Sequence, residues 1–84
     1  MTKTEDLIQA VWEKGSKISG KNPDVYRKDA AGNTIYRSSY GKDTKMGWQI
    51  DHKHPLAKGG SDNLRNLQPL QSAENKKKSD KYPY

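Results

Sequence analysis

Apolar residues along this chain fall into short patches separated by polar, turn-rich stretches. Leu7, Ile8, Val11 and Trp12 follow the i, i+1, i+4, i+5 spacing of one helical face and predict a helix over residues 5–14. Thr2-Lys3-Thr4-Glu5 offers a capping box at its start, and Gly15 a stop. Residues 16–23 carry turn formers and read as a connector. Val25-Tyr26-Arg27 and Thr34-Ile35-Tyr36-Arg37 are strand-like, and Lys28–Asn33 between them suits the turn of a hairpin over 24–38. Residues 38–47 are loop-like.

Trp48-Gln49-Ile50-Asp51-His52 alternates apolar and polar, as a half-buried strand does, and Pro55 should mark its end. Leu56–Arg65 reads as a loop containing Gly59-Gly60. Asn66–Leu70 reads as a second strand, made irregular by Pro69, which lacks an N–H. Ser72 suits the N-cap of a helix over 73–80, and residues 81–84 read as a frayed tail. The pattern predicts an α+β fold in one domain over residues 1–84: a helix, a hairpin, and a strand–loop–strand–helix unit over 48–80.

Composition narrows the class. Of 84 residues only 30% are hydrophobic, and Phe is absent, so the core must lean on Trp12, Trp48, a few Tyr and scattered aliphatics. The chain has no cysteine, which excludes disulfides and cysteine-held zinc and fits a cytoplasmic protein. No apolar stretch approaches the length of a membrane span, and the first residues lack the apolar core of a signal peptide. The net charge of +6 suits a polyanionic partner, nucleic acid foremost.

The unit over 48–80 carries the candidate chemistry. Phosphodiester hydrolysis needs a base for water, a cation for the developing charge, and a scaffold holding both. His52 is the candidate base, since imidazole is half-deprotonated near pH ~6.5. Asp51 is the candidate anionic ligand of a hard divalent ion, and Asn75 can add a neutral amide oxygen in the first turn of the last helix. The positive end of that helix favours a bound phosphate. Asn66 suits a structural role, bonding loop backbone as Asn does in turns. In a regular strand, adjacent Asp51 and His52 point to opposite faces, so serving one phosphate requires the strand to end or twist there.

Read together, Ile50-Asp51-His52-Lys53-His54-Pro55-Leu56, Gly59-Gly60-Ser61, Asn66-Leu67-Gln68-Pro69-Leu70 and Asn75–Lys78 closely resemble the HNH endonuclease signature. Tyr26–Asp29, Ile35-Tyr36-Arg37, Tyr40-Gly41 and Gly47-Trp48 look like a small cysteine-free branch of that family, so the likeness covers roughly residues 23–80. The resemblance implies a ββα-metal unit, with Asp51 as first metal ligand, His52 as general base, Asn66 as brace of the loop between the strands, and Asn75 as second ligand. Asn75 stands where many members carry His. An amide oxygen prefers hard ions to zinc, so the expected cofactor is one divalent ion, Mg²⁺ or Mn²⁺.

The expected function is hydrolysis of DNA, RNA being an open alternative, by a monomer that nicks with little sequence preference and needs no membrane. Arg37 can clamp a phosphate bidentately, and Lys76, Lys77 and Lys78 can touch backbone phosphates. Each has a plainer reading as an exposed strand or helix-end cation. His54 reads as a surface or loop-packing residue and Trp48 as core. Two other functions compete: a non-catalytic DNA-binding module on the same scaffold, and a nuclease toxin domain.

Overall fold

The computed structural model describes residues 3–78. The expected cap at Thr2, the last two residues of the helix expected over 73–80, and the tail 81–84 lie outside them. Helix α1 spans Lys3–Trp12, two residues ahead of its expected bounds. It stops early because the chain tightens at Lys14 and Gly15, whose amides bond Val11 O at 3.0 Å and Trp12 O at 2.9 Å. Ser16 then pairs with Lys28, exchanging bonds of 2.9 Å in both directions. A Cβ on Gly15 would sit 3.1 Å from Lys28 O, so this turn favours glycine. Buried Arg27 closes the helix end by donating through Nη1 to the carbonyls of Glu13 and Gly15.

The hairpin forms as β1 (Tyr26–Lys28) and β2 (Thr34–Tyr36), with Arg27 opposite Ile35. Asp29 organises its turn. One carboxylate oxygen accepts from the amides of Ala31 and Asn33, and the other accepts from the Gln71 amide at 2.8 Å. That last bond ties the hairpin to the second half of the chain. A 3-10 turn over Arg37–Ser39 follows, and Tyr40 bridges to Trp48.

Strand β3 (Trp48–His52) pairs antiparallel with β4 (Leu67–Gln71), Asp51 facing Gln68 and His52 facing Leu67. Pro69 leaves β4 regular, contrary to the expectation. Trp48 O accepts from Gly41 and the Gln71 amide goes to Asp29, so the Trp48–Gln71 pair bonds outward. By alternation the Ile50–Pro69 pair also lacks ladder bonds, and the missing N–H of proline faces away from β3. Helix α2 runs from Ser72 to Lys78. Ser72 is its first residue, and its hydroxyl donates to Lys42 O at 2.7 Å, fastening the helix to the 38–47 segment.

Val11, Trp12, Ile35 and Trp48 are wholly buried and form the core with Leu67. The two indoles pack at 5.3 Å, and Tyr40 meets Trp48 edge-on at 4.9 Å. Lys14 adds a polar tie: its ammonium donates to the carbonyls of Leu64 and Leu67. Burial, then the charge of Lys53, holds that ammonium below the usual lysine range. This α+β arrangement leaves the end of β3, the loop after it and α2 on one side of the core.

Candidate active site

Alternation along β3 sends Asp51 and His52 in different directions. Asp51 turns inward and is 6% exposed. Its Oδ2 accepts from Gln68 Nε2 at 2.8 Å, directly across the sheet, and its Oδ1 accepts from Lys78 Nζ at 2.9 Å. The Lys78 ammonium also donates to His52 O at 2.7 Å. Ser72, Asn75 and Lys78 lie three residues apart on α2, on one helical face, so the residue that anchors Asp51 shares a face with Asn75. As a surface phosphate contact, Lys78 is excluded: it is 2% exposed and its donors are directed into the protein.

His52 remains partly open, its side chain 27% exposed, and Nε2 lies 2.8 Å from Asp62 Oδ1. The loop carrying Asp62 is held by Asn66. The Asn66 amide nitrogen donates to His54 O at 3.0 Å and Ser61 O at 2.6 Å, while its oxygen accepts from the His54 amide at 2.9 Å. Its backbone carbonyl accepts from Lys53 N at 2.7 Å, extending the β3–β4 ladder by one pair. The loop is too tight for a side chain at Gly60, where a Cβ would fall 1.7 Å from His54 O. His54 is thus gripped through its backbone by Asn66, beside the site.

Asp51, His52 and Asn75 line one open cleft of about 260 Å³, together with Ile50, Pro55, Leu56, Ala57 and Lys78. A second hollow of about 370 Å³ shares Ile50 and Asn75 and is walled by Asp43 and Lys76. Lys76 is exposed and pairs with Asp43. Arg37 lies at the start of its 3-10 turn and donates through Nε to Gln9 Oε1 of α1 at 3.0 Å, tying hairpin to helix.

The profile of the HNH endonuclease family matches residues 38–81. The chain belongs to the HNH endonuclease family. No curated protein and no solved structure matches it comparably. Membership in the HNH family makes nuclease activity its general function and nucleic acid its substrate. HNH nucleases usually use a divalent metal. Among the described residues no group of three His, Asp or Glu side chains could hold one. An ion here would rest on the Asp51 carboxylate and the Asn75 amide, with water and substrate oxygens for the remainder. Each Asp51 oxygen accepts one bond from Gln68 or Lys78 and retains a lone pair, so an oxygen-only donor set of this kind fits a hard ion such as Mg²⁺.

Three partners in this HNH unit escape a reading of the sequence. Gln68 becomes visible once the loop is known to close at Lys53 and Asn66, because counting back two residues on β3 and forward two on β4 sets it opposite Asp51. Lys78 was legible in principle from its three-residue spacing to Asn75, but the run Lys76–Lys78 looks uniformly exposed. Nothing in the sequence pattern points to Asp62, since a loop's path follows no periodicity.

Proposed function

We propose that this HNH protein is a divalent-metal-dependent endonuclease that hydrolyses DNA phosphodiester bonds, nicking one strand with little sequence preference. The observation that carries the reading is the single open cleft lined by Asp51, His52 and Asn75. His52 takes a proton from water as the water oxygen bonds to phosphorus. The P–O3′ bond breaks on the opposite side, and the 3′ oxygen leaves as an alcohol after protonation from solvent. Asp51 and Asn75 would hold Mg²⁺ or Mn²⁺, which supplies charge stabilisation at the phosphate when bound. Gln68 and Lys78 each donate one bond to the Asp51 carboxylate and hold its orientation. Asn66 keeps the 53–66 loop closed beside His52. Lys76, exposed at the rim of the second hollow, meets backbone phosphates. Among the described residues these three side chains meet in one cleft, and a cleft acting alone cuts one strand, which favours a nick over a double-strand break. A net charge of +6 favours binding through phosphates, sensitive to salt.

Supercoiled plasmid tests this directly. Relaxation should require Mg²⁺ or Mn²⁺ and stop in excess EDTA. His52→Ala should lower cleavage by about 10²–10⁴-fold while DNA binding in a gel shift persists. Wild-type cleavage by that variant would remove His52 from the mechanism.

A second reading has one observation in its favour. The Lys78 ammonium already sits on Asp51 and supplies positive charge at the carboxylate. A non-catalytic DNA-binding module would show this arrangement too. Intact plasmid with and without Mg²⁺, alongside a retained gel shift, would select it.

A further inference from the structure

We propose that Asp62 is a positioning residue for His52, fixing which imidazole nitrogen is free to accept a proton; this rests on His52 acting as the base. A histidine at the end of a strand rotates about two side-chain bonds unless something holds its ring. Here Nε2 lies 2.8 Å from Asp62 Oδ1. An ionised carboxylate only accepts hydrogen bonds, so the neutral imidazole must carry its hydrogen on Nε2. Nδ1 is then left with the lone pair that a general base needs.

The Asp62 side chain is 83% exposed, which makes it a poor contributor to stability, since exposed ion pairs give little. Its backbone is nevertheless well held. Asn66 Nδ2 bonds Ser61 O, the Asn63 amide bonds Ser61 Oγ at 3.3 Å, and the Asn66 amide bonds Asn63 O at 2.8 Å. These bonds flank Asp62 on both sides. The loop brace at Asn66 thereby reaches the chemistry through one carboxylate: Asn66 sets Ser61, the Ser61–Asn63 turn sets Asp62, and Asp62 sets the ring. A negative charge beside a path for phosphates repels substrate, so Asp62 carries a cost in binding that an orienting role offsets.

Two readouts test this, one independent of catalysis. In long-range ¹H–¹⁵N spectra of the neutral imidazoles, His52 should show a single Nε2–H form, its two nitrogens well separated. Asp62→Ala should narrow that separation as tautomers mix, with His54 unchanged as internal reference. In plasmid nicking with Mg²⁺, Asp62→Ala should lower kcat about 10- to 100-fold, the range typical of lost outer-shell partners. Its KM should not rise, and its Tm should stay at the wild-type value. Asp62→Asn, which retains an oxygen acceptor, should recover most of the loss. In a His52→Ala background, Asp62→Ala should cause no further loss, because its only route is through the ring. Mixed tautomers in the wild type, unchanged or increased kcat in Asp62→Ala, or an equal loss in the His52→Ala background would each overturn the assignment. His52→Ala that abolishes nicking while Asp62→Ala cleaves normally sinks the role of Asp62 alone. Normal nicking by His52→Ala sinks the base itself, and the positioning role with it.

Discussion

Replacing Lys78 with methionine should unfold much of what keeps Asp51 in place. The two side chains are 2% and 6% exposed, and their 2.9 Å contact is joined by a second Lys78 bond to His52 O. Methionine fills similar volume and removes the charge. Asp51 would keep only the Gln68 bond, and His52 O would lose a donor. Breaking a buried pair from one side costs about 3–5 kcal/mol, because a bare charge is left behind. An 84-residue domain has roughly 4–13 kcal/mol in total, at 0.05–0.15 per residue. Roughly a quarter of the stability or more is therefore at stake. Urea unfolding in EDTA, followed through the fluorescence of buried Trp12 and Trp48, would measure it, with the m-value unchanged. Lys76→Met is the control. The Lys76–Asp43 pair is 69% exposed on both sides and should cost about 0–1 kcal/mol. Asp51→Asn combined with Lys78→Met should regain most of the loss, since no charge remains buried. Mg²⁺ should stabilise Lys78→Met more than the wild type if Asp51 is a ligand, because the ion restores the missing positive charge. A loss below about 1 kcal/mol, equal to that of Lys76→Met, would refute the argument.

Asn66→Ala removes three side-chain bonds and should lower stability by about 1–3 kcal/mol together with nicking; a loss of activity at wild-type Tm would contradict the brace. Lys76→Ala should weaken DNA binding equally across sequences and reduce the slope of log affinity against log salt by about 1, as seen in fluorescence anisotropy at several ionic strengths. An unchanged slope would remove Lys76 from the phosphate contacts.

Legibility in the sequence followed periodicity. Trp48 and Ile50 announced β3 by alternation, and Ile8, Val11 and Trp12 announced α1, because burial on one face imposes a spacing. Leu7 belongs to the same expected stripe yet is 40% exposed, since α1 presses only part of that stripe on the core. As candidates, Asp51, His52 and Asn75 were legible because residue type alone constrains chemistry, and the three line one cleft. The site was illegible where a partner arrives across space: Asp62 on a loop, and Lys78 hidden within a lysine run. Pro69 misled for a related reason. Whether proline disrupts a strand depends on the ladder phase, and here that phase is set by Gly41 and Asp29, each far away in sequence.

The family match begins at residue 38, yet among the described residues Val11, Trp12 and Ile35, three of the six buried apolar residues, come before it. The nuclease half thus brings Trp48 and Leu67 to an interior whose other walls it does not own. Cut free at residue 38, it would keep only Tyr40 and Ile50 against that indole and isobutyl group and would expose much of both to water. The first 37 residues are its host, and no transplant of this cleft into another protein would work without furnishing an apolar socket of matching shape.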